Sequence, residues 1–137
     1  MATTLNPYLN FKDNAREAME FYKGVFGGTL NITTFADLGM GEGADGSKVM
    51  HSDLETEAGY RIMGADTPPG MDYSAPAGFG VSLSGDDGDM LRGYWDKLAD
   101  GGRVDMPLQK QVWGDEFGMV VDKFGICWLV NIGAPQA

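Results

Sequence analysis

Apolar and polar positions recur along this chain in the same order twice. The pattern predicts two copies of one unit, at residues 4–66 and 77–132, joined by a linker at 67–76 that is rich in proline and glycine. Equivalent positions lie 73, 74 and 66 residues apart. They are Phe21-Tyr22 with Tyr94-Trp95, Gly27-Gly28 with Gly101-Gly102, and Gly59-Tyr60 with Gly125-Ile126. Repeated units that cannot cover their own sheets are expected to pack on each other.

Each copy is predicted to run strand, helix, strand, strand, strand. Helical spacing places one apolar stripe at Ala18, Phe21, Tyr22 and Val25 and a second at Leu91, Tyr94, Trp95 and Leu98. Runs of β-branched and aromatic residues, such as 29–35, predict the strands. The first strands of the two copies are predicted at 5–11 and 78–84, and the strand after the second helix at 103–107. The fold class is therefore α+β, with two βαβββ repeats in a single domain, 1–137, and a concave cleft between the halves. Residues 37–47 carry four glycines and are predicted to form a loop.

The bulk composition excludes several function classes. The chain has 137 residues, a net charge of −10 and 43% hydrophobic content, and no apolar run is long enough to cross a bilayer. The acidic surface disfavours nucleic acid, and no membrane partner is expected. Cys127 is the only cysteine, which excludes an internal disulfide. The first residues lack the features of a signal peptide, so the expected location is cytoplasmic.

His51 and Asp53 are the candidate acid–base residues. His51 is the only histidine, and Asp53 follows two positions later, so both side chains lie on one face of a strand. A three-residue hairpin loop at 57–59 would set Asp53 opposite Met63 and turn both side chains into the cleft. A two-residue loop would turn them toward the helix or solvent. A structural role for His51 is the alternative.

Further candidates would contact a ligand without reacting with it. Arg61 alternates in step with Met63, so it shares the cleft face and could bind an acidic group or pair with a nearby acid. Trp113 precedes Gly114 in a loop and could stack on a ligand or plug the core. Tyr8 offers one polar oxygen on an undetermined face of the first strand.

The double unit resembles the vicinal oxygen chelate superfamily, which includes glyoxalase I, bleomycin-resistance proteins and extradiol dioxygenases, and is most similar to its PhnB-like branch. The resemblance covers nearly the whole chain. The matching segments are Pro7-Tyr8-Leu9-Asn10-Phe11, Glu17-Ala18-Met19-Glu20-Phe21-Tyr22, Phe26-Gly27-Gly28, His51-Ser52-Asp53-Leu54, Trp113-Gly114 and Asp122-Lys123-Phe124-Gly125-Ile126-Cys127-Trp128. Homodimerisation is implied by this resemblance.

The resemblance also implies where a metal would bind. In the metal-dependent members, the first and last strands of each unit supply the ligands. Those positions fall here at Asn6 and Phe79, 73 residues apart, and at Met63 and Leu129, 66 residues apart. Only Asn6 offers a hard donor, and a divalent ion needs several carboxylates or imidazoles together. We therefore expect no metal and no cofactor, and an apolar seam suited to an aromatic or apolar ligand.

Three functions follow as alternatives, and whether the protein is an enzyme is left open. The first is a homodimeric binding protein that sequesters a small organic molecule. The second is a metal-independent or atypical lyase, isomerase or dioxygenase-like enzyme that uses His51 as acid or base. The third is metal-dependent chemistry with His51, Asp53 and Glu55 as unusual ligands, although three alternate positions of one strand seldom converge on an ion.

Overall fold

The computed structural model describes residues 3–39, 44–68 and 70–133, with the backbone alone at 44 and 45. The chain forms two compact units, Met1–Ala75 and Pro76–Ala137. The boundary between them falls inside the predicted linker. No helix in the described ranges has both the length and the apolar character that crossing a membrane requires.

Unit 1 is a four-stranded sheet covered on one face by a helix. Its elements are β1 (Tyr8–Phe11), α1 (Ala15–Phe26), β2 (Thr29–Thr34), a 3-10 turn (Ala36–Leu38), α2 (Ala44–Ser47), β3 (Val49–Glu55) and β4 (Arg61–Asp66). The strand order is β1-β4-β3-β2. β1 runs parallel to β4, and the other neighbours are antiparallel. The predicted 37–47 loop contains the end of the 3-10 turn and α2, and its residues 40–43 lie outside the described residues.

Helix α1 forms because its apolar residues recur at helical spacing and bury one face against the sheet. Ala15, Ala18, Met19 and Tyr22 are fully buried there. Gly64 of β4 lies beneath Met19, and a Cβ on Gly64 would stand 3.2 Å from the sulfur. Gly28, just beyond the C-cap Gly27, has φ +109°, and a side chain there would collide with the carbonyl oxygen of Glu55. The absence of side chains at these two glycines lets the helix and the sheet approach closely.

Unit 2 repeats the same topology. Its elements are β5 (Val81–Gly85), α3 (Gly88–Ala99), β6 (Arg103–Lys110), β7 (Glu116–Val121) and β8 (Cys127–Ile132), with the strand order β5-β8-β7-β6. The four apolar residues predicted for its helix are all buried. Asp87 caps that helix by accepting a hydrogen bond of 3.1 Å from the backbone N–H of Met90. The two βαβββ repeats expected from the sequence are therefore confirmed.

One boundary prediction is wrong in an informative way. The sequence suggested that β6 ends at Pro107, but the strand continues to Lys110. Its pairing register with β7 shifts twice, between Val104 and Met106 and between Met106 and Gln109. β6 is an edge strand, and there the missing N–H of proline costs no hydrogen bond inside the sheet.

Candidate functional site on the helix-free face of the first sheet

The β3–β4 hairpin decides which face of the sheet His51 and Asp53 occupy. Asp53 pairs with Met63, as the three-residue loop predicts. Thr56 closes the turn, because its backbone N–H donates to the carbonyl of Tyr60 at 2.8 Å and its hydroxyl accepts the N–H of Tyr60 at 2.8 Å. Ser52 and Leu54 alternate with these residues and are fully buried. His51 and Asp53 therefore lie on the face that α1 does not cover.

This helix-free face gathers five of the predicted residues of unit 1: Tyr8 from β1, His51 and Asp53 from β3, and Arg61 and Met63 from β4. The register sets Met63 between its two paired neighbours, Tyr8 on one side and Asp53 on the other. An apolar thioether thus stands within a row of polar side chains. The predicted ligand-binding role of these residues stays a prediction.

Tyr8 is the direct partner of His51. Its hydroxyl lies 3.2 Å from Nδ1 of the imidazole, and the two rings stack with centroids 5.7 Å apart and an interplanar angle of 27°. The phenol is 45% exposed, and its partial burial raises the pKa of Tyr8. Asp53 makes no hydrogen bond to His51 among the described contacts, so the predicted carboxylate–imidazole dyad is replaced by a phenol–imidazole pair.

Asp53 instead faces Arg61 across the β3–β4 pair. Oδ1 of Asp53 lies 3.0 Å from Nε of Arg61, and Glu55 approaches the same guanidinium at 3.8 Å. The short contact is an ion pair and not a hydrogen bond. Both atoms are buried, and neither has a hydrogen-bond partner within the described part of the chain. Of the two roles predicted for Arg61, pairing with a neighbouring acid is the one that the structure contains.

Asn6 precedes β1, and its side-chain amide donates to the hydroxyl of Thr4 at 2.7 Å. It shares the alternation of Tyr8, and the backbone beside it pairs with β4 through the N–H of Met63 and the carbonyl of Pro7, 3.1 Å apart. Asn6 thus lies at the edge of the helix-free face, and its contact with a ligand stays a prediction.

The strand registers correct the predicted counterpart of Asn6 in unit 2. Met63 pairs with Tyr8, and its equivalent Leu129 pairs with Ser82, which puts the first strands 74 positions apart. The buried residues Leu9 and Leu83 show the same spacing. The counterpart of Asn6 is therefore Gly80. Phe79 has the opposite alternation and is exposed, and a ligand contact at Phe79 stays a prediction.

Gly80 could have been found from the sequence by matching strand alternation instead of helix spacing. A Cβ at Gly80 would collide with Cδ1 of Leu129, so the leucine side chain occupies the space that a longer residue 80 would need.

Asn31 and Thr33 of β2 in unit 1 were also missed by the sequence reasoning. They pair with Asp53 and His51 and complete the polar row of the helix-free face. Their signal was the same two-residue period.

The equivalent face of unit 2 has the opposite character. The positions equivalent to His51, Asp53 and Arg61 carry Phe117, Met119 and Cys127. Burial raises the pKa of the Cys127 thiol, with a smaller contribution from the charge of Asp105. Apolar side chains of the kind expected at a ligand seam thus occupy these three positions in unit 2, where unit 1 carries polar or charged ones, and the Arg103–Asp105 ion pair lies beside Cys127.

Trp113 lies in the loop between β6 and β7. Its side chain is 60% exposed, which excludes the core-plug alternative. Its ring packs at a tilt on Phe117 with centroids 6.2 Å apart. The neighbouring Val112 is fully exposed. Stacking of Trp113 on a ligand stays a prediction.

The side chains at the four metal-ligand positions do not fit a divalent cation. Met63, Leu129 and Gly80 offer no hard donor, and Asn6 offers one amide oxygen, whereas a divalent cation needs several oxygen or nitrogen ligands together. Across residues 3–39, 44–68 and 70–133, no three His, Cys, Asp or Glu side chains cluster as ligands. Asp53 and Glu55, which were considered as unusual ligands, face Arg61.

A cavity of about 560 Å³ lies at the start of α1, away from these residues. Buried Asp66 lines it and accepts the backbone N–H groups of Ala15 at 2.9 Å and Val49 at 2.8 Å. Lys48 pairs with Asp13 at its rim, 3.0 Å apart. The charged residues around this cavity hold α1 to the sheet. None of the predicted site residues lines the cavity. The helix-free face remains the candidate site.

Comparison with known proteins agrees with this architecture. YjdN of Escherichia coli K12 is 28% identical over an alignment 144 positions long, which covers 96% of this chain and 97% of YjdN. The crystal structure of protein PA1353 from Pseudomonas aeruginosa superposes with a TM-score of 0.85 and 35% identity, covering 98% of this chain and 100% of that one.

The PhnB protein from Bacillus cereus, at 22% identity, shares the fold with a TM-score of 0.75 over 96% of this chain and 100% of its own. Residues 4–130 match the sequence pattern of one family. The chain therefore belongs to the Glyoxalase/Bleomycin resistance protein/Dioxygenase superfamily.

Proposed function

We propose that this protein binds and sequesters a small organic molecule, with an aromatic or apolar part and a polar anchor, and that the helix-free face of unit 1 supplies the anchor. The observation that carries the proposal is the row in which Met63 stands between Tyr8 and the Asp53–Arg61 pair. The thioether of Met63 and the stacked rings of Tyr8 and His51 can adapt to a flat ligand, and the neighbouring Asp53–Arg61 pair can fix the orientation of that ligand.

The apolar side chains of the equivalent face in unit 2 support the same proposal. Within unit 2, Phe117, Met119 and Leu129 form an apolar surface of the kind that binds aromatic compounds. The family's name includes bleomycin resistance proteins, which is consistent with binding as a function that needs no chemistry. The shortage of oxygen and nitrogen donors at the positions that would ligate a metal also favours binding over metal-assisted catalysis in this chain.

A thermal-shift screen of aromatic compounds, followed by isothermal titration calorimetry, tests the proposal. A compound present at about 100 times its Kd stabilises the folded protein by about 2.7 kcal/mol, which gives a clear rise in Tm. The variant Met63→Glu places a charge in the row and should abolish the shift. Leu38→Glu makes the same kind of change at an exposed position of the 3-10 turn and should retain it.

The proposal fails if no aromatic or apolar compound raises Tm, or if Leu38→Glu removes the shift as completely as Met63→Glu does. Retained binding in Met63→Glu would move the site away from this face. Each variant is first shown by circular dichroism to be folded, so that loss of binding is not confused with loss of structure.

A metal-independent lyase or isomerase that uses His51 as acid or base is the second candidate. The observation that favours it is a single imidazole, half-buried beside an ionisable phenol. Turnover of a substrate by the wild type and its loss in His51→Gln would establish it. Homodimerisation also stays a proposal, and light scattering during gel filtration measures it directly.

A further inference from the structure

Tyr8 reaches His51 across a neighbouring strand. β4 lies between β1 and β3, so the two backbones are roughly 10 Å apart. The register pairs Ser52 with Gly64, and one further step sets Ala65 beside His51. Ala65 is buried and has only a methyl group, which leaves room for the phenol to pass over β4. The small residue on the central strand thus allows the contact of 3.2 Å between the hydroxyl and Nδ1.

The chemistry of this contact has a preferred direction. A phenol is a good hydrogen-bond donor, and its oxygen is a weak acceptor because its lone pairs delocalise into the ring. A neutral imidazole nitrogen without a proton is a strong acceptor. Burial also raises the pKa of Tyr8, which keeps its proton in place. The stable arrangement therefore has the hydroxyl donating to Nδ1.

We propose that Tyr8 is a positioning residue that holds the neutral His51 ring in the tautomer with its proton on Nε2, so that the site offers an N–H donor to its ligand. This inference rests on the proposed binding function and names the ligand group: a carbonyl or carboxylate oxygen attached to a planar ring. Within the described part of the chain, His51 has no hydrogen-bond partner other than Tyr8, which leaves Nε2 for the ligand.

Arg61 adds a second donor to the same face. Its guanidinium rests on Asp53, and Asp53 is two residues from His51 along β3, about 7 Å away. A guanidinium has five N–H groups and no acceptor, and two neighbouring carboxylates leave some of those N–H groups for a ligand. Two donors at this separation suit a small aromatic acid or ketone.

Nitrogen NMR measures the tautomer directly in the ligand-free protein. The chain has one histidine, so a ¹⁵N-labelled sample gives one pair of imidazole signals that need no assignment between residues. At about pH 9 an ordinary imidazole is neutral. We expect Nε2 to show the shift of an N–H nitrogen and Nδ1 that of an unprotonated, hydrogen-bonded nitrogen.

Tyr8→Phe removes only the hydroxyl. In this variant the Nδ1 signal should move toward that of a nitrogen without a hydrogen bond, and the tautomer ratio should approach that of free histidine. Tyr60→Phe is the matched control, because Tyr60 is a partly exposed tyrosine of the same unit whose ring packs edge-on against Phe26. The control should leave both nitrogen signals unchanged.

A proton found on Nδ1 in the wild-type protein overturns the inference, and so does a tautomer that Tyr8→Phe does not alter. The wild-type spectrum decides the first outcome even if the variant is unstable. Benzoate and benzylamine then probe the ligand group: benzoate should shift the Nε2 signal, and a shift with benzylamine alone contradicts the assignment. If neither compound shifts the Nε2 signal, the result counts against the proposed binding function, while the tautomer result stands.

Discussion

The ion pair between Asp53 and Arg61 allows a quantitative test of the candidate site. At 3.0 Å and an effective dielectric constant of about 20, the attraction is about 5.5 kcal/mol before solvation is counted. The side chains are 27% and 38% exposed, and the contact is not a hydrogen bond, so hydration and screening offset most of that attraction. We expect a net coupling of about 1 kcal/mol.

A double-mutant cycle measures this coupling. The variants are Asp53→Asn, Arg61→Met and the combination, and the free energy of unfolding is followed by circular dichroism in urea. Each single variant should lose about 1 kcal/mol, and the double variant should lose less than the sum of the two. The coupling should shrink between about 0.1 M and 1 M salt, because the Debye length falls from about 10 Å to about 3 Å.

Arg103 and Asp105 provide the control pair. Their charged atoms approach to 2.7 Å and form a hydrogen bond, so the contact is shorter and better aligned, but the side chains are 72% and 39% exposed. If burial and not distance sets the strength, their coupling is the smaller of the two and disappears first in salt. Zero coupling between Asp53 and Arg61 in low salt, or a larger coupling in the control pair, would refute this reasoning.

Three further predictions concern stability and reactivity. Asp122→Ala leaves the backbone N–H groups of Phe124 and Ile126 and the indole N–H of Trp128 without their buried acceptor. The free energy of unfolding in urea should fall by about 3–5 kcal/mol, and a loss under about 1 kcal/mol would contradict the hydrogen-bond assignment. Gly80→Ala must push Leu129 into another rotamer, so Tm should fall by the equivalent of about 1 kcal/mol, whereas an unchanged Tm would mean that the leucine is free to move. Burial raises the pKa of Cys127, so less thiolate is present at about pH 8, and Ellman's reagent should react more slowly with native than with unfolded protein; equal rates would show that the thiol is not shielded.

Periodicity predicted the architecture because each element has a strong local signal. Both helix faces follow the 3.6-residue period, and glycines with positive φ, such as Gly27 and Gly101, stand just beyond the two helices. The starts of the first strands were predicted less well. Residues 5–7 and 78–80 have suitable side chains but lie outside β1 and β5, and no local pattern reveals where pairing with a distant strand begins.

The candidate site was predicted in part. The hairpin loop length correctly gave the face of His51 and Asp53, because a turn fixes the register on both sides of it. The partners of those residues depend on contacts between strands distant in sequence. Tyr8 was the least supported candidate, yet it contacts His51 from 43 residues away. Asp53 pairs with Met63 in the ladder, and Arg61, whose own register partner is Glu55, reaches Asp53 diagonally.

The connection between the first strand and the helix is one residue shorter in unit 2 than in unit 1, since the strands are related by 74 positions and the helices by 73. Anyone who grafts residues from one repeat onto the other must therefore renumber each element separately. A metal-ligating residue moved from position 6 by the helix offset of 73 would replace Phe79. The residue that faces Leu129 is Gly80, which the strand offset of 74 gives. Replacing Gly80 and Leu129 together is consequently the smallest edit that could rebuild a polar pair on that strand edge.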